Sequence, residues 1–160
     1  MKKSFSWLIW KILWERKIPF EKRECWFCLP ALKWLNSIDI SDYRILEFGG
    51  GSSTLYFSDH AKEVETIETN KDYKSIISDK LINKNHKFVS KPKGFYDLIL
   101  VDSSNDRIRE FQVSKKHLTK KGLIIFDNVD KYKPFDEQMD FVFKGWAKQY
   151  AGIVETGVKK

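Results

Sequence analysis

The sequence predicts an α/β protein built in three layers, with helices packed on both faces of a mostly parallel sheet. Three observations lead there. From residue 30 onward, short apolar runs alternate with longer stretches of helical periodicity. One run, Arg44-Ile45-Leu46-Glu47-Phe48, passes straight into Gly49-Gly50-Gly51-Ser52-Ser53, the pattern of a strand, a glycine turn and a helix start. Acids stand at or beside the ends of four apolar runs, at Glu47, Glu68, Asp102 and Asp127. In open α/β sheets the carboxyl ends of the strands are where ligands bind.

Residues 1–29 read as an N-terminal arm. Trp7, Leu8, Ile9, Trp10, Ile12, Leu13 and Trp14 crowd together between Lys2, Lys3 and Arg16, Lys17. The run is too short to span a bilayer, Lys11 interrupts it, and no small-residue cleavage site follows. Trp7, Trp10 and Trp14 share a helical stripe, which suits packing on the domain, pairing with a second copy, or lying in a membrane interface. Pro19 is expected to break that helix.

The domain proper is expected over 30–160. A helix begins near Pro30, a suitable first-turn residue, and runs to about Ile38. Ile45, Leu46 and Phe48 form a buried first strand. Gly49, Gly50 and Gly51 allow positive φ and a close approach to a bound molecule, and Ser52, Ser53 or Thr54 caps a short helix over 54–58. The second strand covers 63–68. Helix 71–81 turns Tyr73, Ile76, Ile77 and Leu81 inward. A weak third strand, 87–90, joins the fourth, 96–102, through Pro92 and Gly94, with no room for a helix between them. Helix 108–118, a fifth strand at 122–126 and a last helix over 135–150 follow, the last with Phe135, Met139, Phe141, Val142 and Trp146 inward. Residues 152–158 read as a sixth strand.

Composition narrows the function classes. At 160 residues, 42% hydrophobic and 32% charged, the chain suits one globular domain with a real core, and it shows no repeat or low-complexity tract. Its net charge of +7 is terminal: residues 35–130 hold 15 basic and 15 acidic side chains. A duplex-binding protein should show a basic stripe, so no specific nucleic-acid partner is expected; the basic arm suits an anionic membrane surface, an acidic partner or plain solubility. Cys25 and Cys28 lack further ligands at zinc spacing and do not follow a strand as a redox pair would, which leaves two small buried side chains, reduced in a cytoplasmic setting.

The segment Glu47-Phe48-Gly49-Gly50-Gly51-Ser52-Ser53 resembles the first motif of class I S-adenosylmethionine (SAM) methyltransferases, with Ser53 at the third glycine. Val64-Glu65-Thr66-Ile67-Glu68 looks like their second strand, Tyr96 to Asp102 like the fourth, and Leu118 to Asn128 like the turn and fifth strand. The resemblance covers roughly Pro30 to Asp130. It implies a Rossmann-like methyltransferase sandwich of strand order 3-2-1-4-5. Because the last stretch reads as helix and a single strand, the C-terminal edge of the sheet is expected to be truncated, without the seventh strand usual in that family.

The resemblance also implies roles. SAM would be the cofactor, held by Gly49, Gly50, Gly51, Ser52 and Ser53, with Glu47 orienting the loop or the ammonium group. Glu68, 17 residues past Gly51, would take the ribose hydroxyls, a task needing a bidentate acceptor. Ser90 is the nearest candidate for the adenine, and Trp26 could border the pocket. Asp102 would serve as general base or position the acceptor, expected to be a small-molecule hydroxyl. Asp102, Asp127 and Asn128 also resemble the Mg²⁺ ligands of cation-dependent O-methyltransferases, although Asn105 stands where that group has a lysine. Two other readings stay open: a degenerate domain of this fold that binds SAM or serves as a scaffold, and an NAD-binding protein, against which Thr54 replaces the third glycine of G-x-G-x-x-G.

Overall fold

A computed structural model describes residues 18–133, 135–144 and 150–155. The stripe of Trp7, Trp10 and Trp14, and Trp146, lie outside the described residues. Two short helices come first, α1 (Ile18–Lys22) and α2 (Leu29–Leu35). Pro19 stands in the first turn of α1, where an N–H has no intrahelical partner to lose, and the helix it is expected to break lies outside the described residues.

The elements β1 (Arg44–Phe48), α3 (Ser52–His60), β2 (Glu63–Ile67), α4 (Lys71–Lys80), β3 (His86–Phe88), β4 (Tyr96–Val101), α5 (Arg107–Lys116) and β5 (Leu118–Asp127) then alternate as expected. No helix separates β3 from β4. The strands β1 to β5 are parallel in the order 3-2-1-4-5.

The C-terminal part differs from the sequence expectation. In place of a helix over 135–150 there are a 3₁₀ turn (Phe135–Gln138), β6 (Phe141–Lys144) and β7 (Tyr150–Glu155). These strands form an antiparallel hairpin, and β7 pairs antiparallel with β5. The sheet therefore has seven strands in the order β3-β2-β1-β4-β5-β7-β6, and its C-terminal edge is not truncated. Phe135, Met139, Val142 and Trp146 are spaced at a helical period, but the consecutive aromatic and β-branched residues Phe141-Val142-Phe143 suit a pleated edge, and the unpaired rim of β5 selects that outcome. Gly152 fits the same hairpin: a Cβ there would lie 2.5 Å from Met139 Cγ.

Side chains alternate through the sheet into two cores. Ile45, Val64, Leu98 and Leu100 meet Phe27, Leu32, Leu35 and Phe57 on one face; Leu46, Phe48, Ile99 and Val101 meet Phe111 and Phe126 on the other. Cys25 and Cys28 are free, buried in the first core, and burial pushes both thiols up, which keeps them unreactive. Helix α4 departs from its expected inner face. Only Ile77 is buried, while Tyr73 and Ile76 are exposed, because this helix overlies the short strands at the sheet margin.

Candidate functional site

The carboxyl ends of β1, β2, β4 and β5 meet around the glycine turn. Gly49 has φ +89°, and its N–H donates to the Ile67 carbonyl at 3.0 Å. A Cβ on Gly49 would sit 2.6 Å from the Asp102 carbonyl oxygen and from Ser103 Cα, so this glycine lets the turn lie directly on the end of β4. A Cβ on Gly50 would come 2.8 Å from Ile77 Cδ1. The close approach that the sequence assigned to a bound molecule is, at these two positions, an approach to the protein itself. Gly51 is extended and meets nothing nearer than Ser53 Oγ at 3.9 Å, so it faces open space.

Gly51 is also the N-cap of α3, ahead of the Ser52, Ser53 and Thr54 expected to cap it. Its N–H donates to Thr54 Oγ1 at 3.0 Å, and the Thr54 N–H returns to the Gly51 carbonyl at 3.2 Å. The Ser53 and Thr54 hydroxyls turn back to donate to Glu47, and the Thr66 hydroxyl donates to it at 3.1 Å. Glu47 is fully buried, and burial, opposed by these three hydroxyls, pushes its carboxyl up to about 8. Its observed partners are those of a residue that braces the first turn of α3 from beneath. Half-buried His86 reaches Thr66 Oγ1 at 3.0 Å, and burial lowers its imidazole to about 4.

Glu68 and the glycine turn are in contact. One carboxylate oxygen accepts the Gly50 N–H at 2.8 Å and the other the Asn70 N–H at 2.6 Å. Two cavities open next to this junction. One, about 320 Å³, is lined by Phe48, Ile67, Ser90, Pro92, Asn105 and Arg109. Exposed Ser90 thus lies beside the ends of β1 and β2. The other, about 210 Å³, is lined by Trp26, Asp102, Asp127 and Asn128.

Two acids lining this second cavity are held by a cation that the sequence reading missed. Arg107 donates to Asp102 Oδ1 at 2.8 Å, to the Asp127 carbonyl at 2.6 Å and to the Ser103 carbonyl at 2.6 Å, and lies 3.9 Å from Asp127 Oδ2. Asp127 is buried, and burial together with the Asp102 charge holds its carboxyl well above the usual range. Burial raises Asp102 as well, opposed by Arg107. Two acids this close share a proton before both ionise. Asn128, at φ +57°, turns its side-chain amide onto Asp127 Oδ2. A signal for Arg107 does exist in the chain: it opens α5 with a positive charge, against the helix dipole, five residues after a strand-end acid.

The donor set does not fit a divalent metal. Arg107 occupies Asp102 Oδ1 and the Asn128 amide occupies Asp127 Oδ2, so both carboxylates of the set are already engaged by nitrogen donors.

Five parallel strands in the order 3-2-1-4-5, an antiparallel hairpin closing the edge, and a glycine turn with an acid on the next strand define a class I methyltransferase fold. Solved structures of that fold match across most of the chain. They include the methyltransferase-named yhhF from Escherichia coli (16% identity, TM-score 0.65, 81% of this chain and 85% of that one). A ribosomal protein L11 methylase from Lactobacillus delbrueckii subsp. bulgaricus matches at 14% identity and TM-score 0.61, over 78% of this chain and 76% of that one. SMU.776, named a methyltransferase and complexed with SAH, matches at 12% identity and TM-score 0.57, over 72% and 46%. At these identities the likeness establishes the fold. No family model and no curated protein matches the sequence.

Proposed function

We propose that the chain is a SAM-dependent methyltransferase acting on the hydroxyl oxygen of a small molecule. The observation that carries this reading is the contact of Glu68 with Gly50, together with one cavity at the ends of β1 and β2 and another at the ends of β4 and β5. The adenosine half of the cofactor would lie along Gly51 and Glu68, with its base in the cavity of Phe48, Ile67 and Ser90. Its methionine half would extend toward Asp102 and Trp26. SAM supplies an electrophilic methyl group on sulfur. What the chain adds is position and proton handling. Trp26 and Asn128 wall the acceptor cavity and limit its water. The Asp102–Asp127 pair takes the hydroxyl proton, and Arg107 keeps Asp102 oriented as the charge on the pair changes. Such a transfer needs no nucleophilic side chain.

Calorimetric titration with SAM and with SAH tests the reading. Micromolar binding is expected, weakened at least tenfold by Glu68→Ala, about the cost of one charge-assisted bidentate contact. A second reading has its own observation. Both Glu68 oxygens already accept backbone N–H groups, which is also how a purely structural turn is locked. If an intact fold binds neither molecule, the scaffold reading replaces the enzyme.

A further inference from the structure

We propose that the end of the sheet opposite the glycine turn is a docking face for an anionic lipid bilayer. Residues 35–130 are neutral by count, but their charges are not evenly placed. Glu47, Glu68, Asp102 and Asp127 gather at the carboxyl ends of the strands. Lysines and the two most exposed large apolar side chains among the described residues gather at the amino ends.

Those two side chains are Ile82, 77% exposed, and Phe95, 62% exposed. Ile82 lies in the segment entering β3, flanked by exposed Lys80 and Lys84. Phe95 immediately precedes β4, after Gly94 at φ +108°. Exposed Lys93 stands two residues before it. His117, at the end of α5, holds the Gly94 carbonyl at 2.7 Å, which sets exposed Lys116 beside the same loop. Between its pairings at Leu118 and Leu123, β5 bulges away from β4, and exposed Lys120 and Lys121 sit on that bulge. A Cβ on Gly122 would lie 3.1 Å from the Tyr96 carbonyl, so the bulge is folded tightly against the start of β4.

Three of the acids at this end are already engaged. Asp59 pairs with Arg23, Glu63 with Arg44 and Lys87, and Asp97 accepts the Arg44 N–H and the Thr119 hydroxyl. Asp39, Asp42 and Asp79 are exposed. The guanidinium of Arg23 donates to the Lys80 carbonyl at 2.6 Å. Arg23, one residue past α1, is thereby anchored at this same end.

Apolar tips interleaved with lysines match an interface in which the tips enter the acyl boundary and the lysines meet anionic headgroups. A nucleic acid would have no use for Ile82, which cannot stack on a base as an aromatic can. The site at the other end would stay in water, as a soluble acceptor requires. Among the described residues no helix is long and apolar enough to cross a membrane.

Sedimentation of the full chain with vesicles tests this independently of any SAM binding. Binding is expected to phosphatidylcholine vesicles containing roughly one-quarter phosphatidylserine, to weaken as salt rises, and to be lost on phosphatidylcholine alone. Lys120→Gln with Lys121→Gln should weaken it about thirtyfold, from about 1 kcal/mol per lysine. Ile82→Ser and Phe95→Ser should each weaken it about tenfold or more. These exposed sites leave the core intact, which circular dichroism checks. A Phe95→Cys chain carrying a solvatochromic dye should shift to the blue on anionic vesicles. Absence of binding, equal binding to neutral vesicles, full binding by all the variants, an unshifted dye, or displacement from vesicles by a single-stranded oligonucleotide would each overturn the proposal.

Discussion

Arg107 gathers the acceptor cavity's charges by holding Asp102 directly and the Asp127 backbone. Arg107→Met would leave buried Asp127 and partly exposed Asp102 facing each other, so stability should fall by roughly 2–4 kcal/mol, with Arg107→Lys recovering part of it; an unchanged denaturation midpoint in Arg107→Met would contradict this geometry. Because a guanidinium already faces the pair, titration with Mn²⁺ should leave the free-ion electron-spin signal undiminished, and a chelator should not alter SAH affinity. Stoichiometric loss of the signal would show that the carboxylates accept a metal after all. Glu47 makes a pH prediction. Its folded value, about 8, exceeds its ordinary 4.5, so between those values the native state holds the extra proton and stability falls as pH rises. His86, lowered from 6.5 to about 4, acts oppositely over that range, since the unfolded chain then binds the proton. Those two nearly cancel up to pH 6.5, while Asp127, also raised, adds a decline of the same sign as that of Glu47. A net decline on the order of 1 kcal/mol per pH unit should therefore appear between pH 6.5 and 8, and Glu47→Gln should shallow it; thermal melts at several pH values read this directly. At this scale the sequence showed Glu47, Glu68, Asp102 and Asp127 because each ends a short local pattern. Arg107 stayed hidden because one of its partners, Asp127, lies 20 residues further on.

Among the elements, the turn after β1 shows how one motif divides its work. Gly49 answers both a positive φ and contact with the Asp102 and Ser103 backbone, whereas Gly51 answers neither. Gly49→Ala should therefore cost roughly 2–4 kcal/mol, while Gly51→Ala should stay within about 1 kcal/mol and register mainly as altered SAH affinity. Equal destabilisation by both would mean that the turn acts only as packing. The triple glycine was legible in the sequence because turn chemistry is local. Its division between protein packing and open space was not, since that depends on β4 and α4 folding over the turn. The same reasoning accounts for α4, where apolar spacing was legible but the lack of a covering layer above Tyr73 and Ile76 was not.

For the whole molecule, a parallel sheet followed from alternation along the chain and the order of β1 to β5 from the family resemblance, but closure of the sheet depended on pairing between distant segments. The β6–β7 hairpin lies across β5, with Ile125 opposite Ile153 and Phe126 opposite Gly152. Without it, β5 would present a row of unpaired N–H and C=O groups, with buried Ile124, Ile125 and Phe126 behind them. Ala151 and Ile153 also belong to the first core, so the hairpin contributes packing as well as an edge. A chain ending after Asp140 should therefore associate through β5 or lose its cooperative melt, as light scattering and calorimetry would show. If that shortened chain stayed monomeric and melted as sharply as the full one, β5 would be a tolerable edge, and the five-stranded core would suffice as the folding unit. The fold argues otherwise: five parallel strands bury both faces but leave the β5 rim open, and the last two strands close it.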